Sequence, residues 1–220
     1  MSKLLILRPQ PGADATAERA RALGLEPIVA PLFTVRALDW EAPGAGDFDA
    51  ILLTSANAAR LGGARLTGFT HLPCYAVGEA TEDAARAAGF DDVMAGPSDG
   101  AALIETMADV RRLLHLCGRD HAALDRPGLS RRIVYASDPV PSLPPQADLT
   151  ALVLLHSPRA AAHFAALAGP RAEIRLAALS EAVAQAAGAG WKSVAVAAHP
   201  RDEALLELAA KLCQTEREAR

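Results

Sequence analysis

The residues of this chain whose type and place could do chemistry are Arg8, Thr54, Ser55, Gly78, Thr81, Gly118, Arg119, Ser157 and Ser180. Each falls where a short apolar run gives way to a turn or a helix-prone segment. The set is rich in hydroxyls and glycines and poor in acids and bases. Helix N-termini present free backbone N–H groups and partial positive charge, so such junctions hold carboxylates or phosphates without lysines. No Gly-rich dinucleotide fingerprint follows Leu7, and there is no Walker loop and no paired acidic pocket. The pattern points to an anionic ligand rather than a nucleotide or a metal.

Plainer roles exist for the same residues. Ser55, Ser157 and Ser180 suit helix N-caps, which is compatible with binding. Gly78 suits a tight turn, Arg8 a solvated loop, and Tyr135 a sheet aromatic. His115, His156 and His163 have no partner at metal-ligand spacing. Cys74, Cys117 and Cys213 are odd in number, widely spaced and set in apolar context, which implies reduced thiols and neither a disulfide framework nor a zinc site. The formal charge of −4 offers nothing to nucleic acid, and no apolar run is long enough to span a bilayer. The N-terminal apolar stretch is too short for a signal peptide. The expectation is a soluble, cytoplasmic protein without metal, cofactor or nucleic-acid partner.

The elements that must position these residues are short. Apolar runs at 50–53 and 151–155 are continuous rather than alternating, as in strands buried on both faces, and each leads through a hydroxyl residue into an Ala-rich helical segment. A shift of 102 positions takes Ser55 to Ser157, Gly78 to Ser180, Glu79 to Glu181, Ala80 to Ala182 and Leu103 to Leu205. Two copies of one α/β unit are implied.

Strands are expected at 3–7, 27–30, 32–37, 50–53, 74–77, 92–94, 113–116, 132–135, 151–155, 175–179 and 193–197. Helices are expected at 14–23, 57–62, 79–88, 100–110, 158–167, 181–187 and 202–213, with a short one after His121. On the first of these, Ala13, Ala17, Ala20 and Leu23 form the apolar face. The alternation is that of parallel sheets covered by helices. The middle of the chain holds five strands, and the C-terminal third holds three that the two N-terminal strands complete. The fold class is therefore α/β, with two similar parallel-sheet, flavodoxin/Rossmann-like domains, two connecting segments and a cleft between them. One domain, 1–34 plus 147–220, is discontinuous; the other, 38–136, is inserted; connectors lie at about 32–37 and 137–146.

The ordered set Leu7-Arg8-Pro-x-Pro-Gly12, Ala30-Pro31-Leu32, Phe48-Asp-Ala-Ile-Leu-Leu-Thr54-Ser55-Ala-Asn57, Tyr75-Ala-Val-Gly78-x-Ala-Thr81, Gly118-Arg119, Val134-Tyr135 and Leu155-His-Ser157-Pro-Arg159 resembles the uroporphyrinogen-III synthase family over nearly the whole chain. The resemblance implies two lobes joined by a two-stranded connector, and a cofactor-free cyclisation of hydroxymethylbilane, a linear tetrapyrrole bearing four acetates and four propionates. Loss of its hydroxyl as water leaves an azafulvene at ring A. Ring D attacks through its substituted carbon, and the spiro intermediate breaks and re-closes with ring D inverted.

By the same resemblance Tyr135 is the catalytic hydrogen-bond donor to the leaving hydroxyl, at the end of its strand. The junction residues named above would hold the carboxylates. The protein would act as a monomer with no membrane attachment, in passing contact with the enzyme that makes its substrate. One departure stands out: the family often has Gly-Pro-Thr-Thr where this chain has Ser180-Glu181-Ala182-Val183. Two other readings remain, a two-lobed small-anion binding protein and a two-cysteine amino-acid racemase. The latter needs cysteines at facing strand ends, and Cys74 begins its strand instead.

Overall fold

A computed structural model describes residues 2–96, 100–107 and 109–218. In chain order the elements are β1 (Lys3–Ile6), α1 (Gly12–Ala22), β2 (Glu26–Val29), β3 (Phe33–Ala37), β4 (Ala50–Leu53), α2 (Ala56–Leu61), β5 (Cys74–Val77), α3 (Glu79–Ala87) and β6 (Val93–Gly96). There follow α4 (Gly100–Glu105), β7 (Leu113–Gly118), β8 (Leu129–Pro139), β9 (Leu152–Leu155), α5 (Pro158–Leu167), β10 (Arg175–Ala178), α6 (Glu181–Ala187), β11 (Ser193–Val196) and α7 (Asp202–Glu218).

The chain divides into two compact units, Met1–Thr34 with Asp138–Arg220, and Val35–Ser137. The first contains a five-stranded sheet in the order β11-β10-β9-β1-β2, parallel at every pairing. Its continuous apolar runs are explained by cover on both faces. Leu5, Val153, Leu155, Leu176 and Ala178 point to the side of α5 and α6, where Phe164 and Val183 pack. Leu4, Ile6, Leu152, Leu154 and Ala177 point to the other, against Ala17, Leu205 and Leu206 of α1 and α7. Each Leu or Ile so enclosed contributes roughly 1.5–3 kcal/mol by leaving water.

The second sheet has six strands, β3-β8-β7-β4-β5-β6. The sequence count of five for this region omitted β3; the strand expected at 32–37 pairs with β8 and is the sixth, edge strand of this sheet. Strand β8 runs eleven residues to Pro139, so Asp138 and Pro139 are strand rather than linker. Tyr135 is consequently inside β8 and does not end it.

With β3 set aside, the two sheets share one spatial order: β8-β7-β4-β5-β6 matches β2-β1-β9-β10-β11. The chain enters that order at different points. In the second sheet β4 comes first and β7 later; in the first, β1 precedes the inserted unit and β9 follows it. The two copies are circular permutations of each other. This explains why the shift of 102 relates β4 through α4 to β9 through α7 and stops there.

Other departures are local. No helix forms after His121, because residues 119–128 must cross from β7 to β8 and end in Pro127-Gly128. At Gly128 φ is +77° and a Cβ would stand 1.9 Å from the Arg111 carbonyl oxygen, so only glycine fits. Leu23, expected on the buried face of α1, is 49% exposed, and the buried Thr16 takes a place there instead. Among the described residues no helix is long and apolar enough to cross a membrane.

Candidate functional site

Because β8, β7, β4 and β5 are adjacent and pair in parallel, the residues at the carboxyl ends of β7, β4 and β5 fall in one row, which Tyr135 joins from within β8, opposite Gly118. In spatial order the row is Tyr135, Gly118 with Arg119, Thr54 with Ser55, and Gly78. Ser55 caps α2, its Oγ accepting the Asn57 N–H at 3.3 Å from extended backbone. Gly78 starts α3 with φ +77°, a conformation that favours glycine, and a Cβ there would meet nothing within 4 Å. Thr81, one turn further on, is buried at 5% exposure.

Tyr135 is placed by a bulge. Cys117 pairs with Ile133, but Gly118 pairs with Tyr135, so Val134 is the extra residue of β8. A bulge re-aims side chains. Here Val134 and Tyr135, neighbours in sequence, both pack on the same apolar cluster, with Ile51, Leu53 and Leu116. The phenol ring lies directly on Gly118, whose missing side chain makes the room. The Tyr135 carbonyl accepts the Arg119 N–H at 3.0 Å. The Tyr135 hydroxyl has no hydrogen-bond partner among the described residues.

Sequence reasoning missed what stands behind Thr54. Its Oγ1 lies 3.0 Å from Nε2 of His115, which is fully buried on β7. Burial first, then the neighbouring His121 and Arg131, push the His115 pKa down to about 4, so the imidazole is neutral. His121 Nδ1 is 2.9 Å from the Gly118 carbonyl, which can only accept, and its ring meets His115 edge-on at 6.0 Å. The missed signal was a lone His inside a strand otherwise made of Leu and Cys.

The first sheet carries a second row at its carboxyl edge: Ser180 after β10, Ser157 after β9 and Arg8 after β1. Ser157 caps α5, its Oγ accepting the Ala160 N–H at 3.2 Å. Ser180 holds the same place before α6 but makes no capping bond. Glu181 beside it is exposed. Arg8 folds back over Gly12 and donates to Thr16 at 3.2 Å and to Asp202 at 3.4 Å.

Asp202 is the other residue that sequence reasoning missed. It opens α7 and also accepts from His156 Nε2 at 2.8 Å, Thr16 at 2.9 Å and Arg19. Burial alone would raise its pKa; the bonds from His156, Arg19 and Thr16 outweigh that and hold the carboxyl well below the usual carboxylate range. The His156 pKa is lowered, by burial foremost.

The cysteines are chemically quiet. Cys74 begins β5, as the sequence indicated, and burial pushes its thiol up to about 12; that of Cys117 rises to about 11. Thiolate nucleophiles need the opposite shift. Among the described residues no group of three or more His, Cys, Asp or Glu could hold a metal ion.

The family signature described as uroporphyrinogen-III synthase HemD matches residues 14–207. The chain belongs to the uroporphyrinogen-III synthase family. The solved uroporphyrinogen-III synthetase of Helicobacter pylori 26695 is 17% identical, with a TM-score of 0.70 over 96% of this chain and 100% of that one. A mutant uroporphyrinogen III synthase of the extremely thermophilic bacterium Thermus thermophilus is 14% identical, with a TM-score of 0.55 over 98% and 100% of the two chains. At such identities the structural likeness speaks for the fold. No curated protein matches the chain significantly. Membership of the uroporphyrinogen-III synthase family makes this a hydro-lyase that cyclises the linear tetrapyrrole hydroxymethylbilane to uroporphyrinogen III, in porphyrin and haem biosynthesis. The binding-protein and racemase readings give way to it.

Proposed function

We propose that Tyr135 is the catalytic donor of this synthase and that the two strand-end rows hold the substrate carboxylates. In the step assigned to Tyr135, the C–O bond of the ring A hydroxymethyl group breaks. The departing oxygen, hydrogen-bonded by the phenol, takes up a proton and leaves as water; the ring A pyrrole N–H gives up a proton in return, and a neutral azafulvene remains. A phenol is a neutral donor at pH 7, suited to help hydroxide leave without protonating the pyrroles. Thr54, Ser55, Gly78 and Arg119 in one row, and Arg8, Ser157 and Ser180 in the other, bind acetates and propionates, so that a flexible chain is held with its ends in reacting geometry. Thr81 and Gly118 are left out of the set because both are buried, Gly118 under the ring of Tyr135.

The observation that carries this reading is the seat of Tyr135: a ring fixed on Gly118, at the end of β7, with its hydroxyl unengaged by any described residue. The test is Tyr135→Phe, assayed by oxidising the products of hydroxymethylbilane and separating type I from type III isomers. Turnover should fall on the order of a hundredfold while KM and melting temperature change little. Wild-type turnover in the Phe variant would remove Tyr135 from the mechanism.

A further inference from the structure

Thr54 is half-buried at the end of β4, and the only described side chain bonded to its hydroxyl is His115. The two share a face of the sheet: His115 pairs with Leu52, and Thr54 is two residues further along the same strand. The ring is fully buried, beside Leu52 on the neighbouring strand and with the His121 ring edge-on at 6.0 Å. Its second nitrogen, Nδ1, is buried and has no hydrogen-bond partner among the described residues.

A neutral imidazole carries one proton, and its two tautomers differ here in what they leave unsatisfied. With the proton on Nδ1, an N–H would be buried facing nothing, and Thr54 would have to donate to Nε2. With the proton on Nε2, that N–H is used on Thr54 and only a lone pair is left bare. Buried donors without acceptors are the rarer case in folded proteins, and each costs its full desolvation.

We propose that His115, held as the Nε2–H tautomer, is a positioning residue that donates to Thr54 Oγ1 and so turns the Thr54 hydroxyl into an outward-facing donor for a substrate carboxylate. A threonine hydroxyl has one proton to give. With His115 occupying a lone pair, that proton cannot be spent inward and points to the ligand side. The site therefore favours a strong acceptor, an ionised acetate or propionate, over a group that can only donate, such as an amide N–H, in the same place. The inference rests on the carboxylate-binding reading of Thr54 and adds what fixes the direction of its bond.

Two measurements test it. The first is long-range 1H–15N spectroscopy of the histidine rings in the unmodified protein at neutral pH. His115 should show a protonated Nε2 and a bare Nδ1; the opposite tautomer or an imidazolium overturns the proposal. The second is steady-state kinetics on Thr54→Val, His115→Leu, His115→Gln and the Thr54→Val/His115→Leu pair. Thr54→Val should raise KM about tenfold with kcat nearly unchanged, since one hydrogen bond to a charged group is lost. His115→Leu should do the same, and the pair should be no worse than either alone. His115→Gln, which can set an amide N–H near the Nε2 position, should recover KM to within about threefold. If Thr54→Val leaves KM unchanged, the carboxylate reading of Thr54 fails whatever the tautomer. If Thr54→Val raises KM but His115→Leu does not, or Gln fails to rescue, that reading survives and the role of His115 falls. Should His115→Leu not fold, the spectrum and the Gln variant decide.

Discussion

The ring of Tyr135 lies so closely on Gly118 that a methyl group added at position 118 would stand 2.5 Å from Cζ and 2.8 Å from the phenol oxygen. The pair is made by the bulge at Val134, which sets residue 135 opposite residue 118. Gly118 is buried, and its contribution is the absence of a side chain.

Gly118→Ala should therefore act on Tyr135. No strained backbone is involved, so the methyl group displaces the ring. Turnover is expected to fall about tenfold to a hundredfold. Gly118→Ala combined with Tyr135→Phe should be no slower than Tyr135→Phe alone. Multiplying losses in the double variant would show that Gly118 acts by another route.

Ser157 and Ser180 occupy equivalent positions but should respond differently. Ser157→Ala removes the cap to Ala160 and should cost about 1 kcal/mol, a melting shift of roughly 2–4 °C. Ser180 caps nothing, so Ser180→Ala should leave the melting temperature nearly unchanged and show its effect, if it binds a carboxylate, in KM. Thermal denaturation and kinetics on the two variants separate the roles.

Asp202→Asn should be among the most destabilising single changes on the first sheet. The carboxylate, 11% exposed, gathers bonds from His156, Thr16, Arg8 and Arg19. Losing its charge while the arginines remain should cost about 3 kcal/mol. Because its folded pKa is depressed, the stabilisation is present above the unfolded value of 3.8 and is lost as pH falls below it. Urea denaturation at pH 3 and pH 7 should show a smaller difference in the variant than in the parent.

His115 makes a further contribution to the acid limb. Its pKa falls from 6.5 unfolded to about 4 folded, burial acting first and the charges of His121 and Arg131 adding to it. Between these values the unfolded chain binds more protons, so stability should rise with pH across that window, by roughly 3 kcal/mol, and then level off. His115→Gln should flatten that part of the profile. An unchanged slope between pH 4 and 6.5 would show that His115 titrates alike in both states.

The α/β class, the helix caps at Ser55 and Ser157, the glycine turns and the duplication were all legible in the amino-acid order; that Ser180 makes no capping bond was not. These depend on local rules: continuous apolar runs such as 50–53 and 151–155, breakers such as Gly24, and hydroxyls ahead of Ala-rich segments. The resemblance carried by Arg8, Thr54-Ser55, Gly78 and Tyr135 was legible for the same reason, since motifs are short. Strand neighbours are not local. Thr54 and His115 are 61 residues apart, and Arg8 and Asp202 are 194 apart. Each pair meets because of where its strands and helices lie in the sheet order, which hydrophobic periodicity does not encode. A shift of 102 exposed one copy of the unit but not its permutation, which appears only when strands are ordered in space. The single extra residue at Val134, which brings Tyr135 onto Gly118, leaves no mark in the pattern either; it exists in the register between two strands, and register is decided by packing.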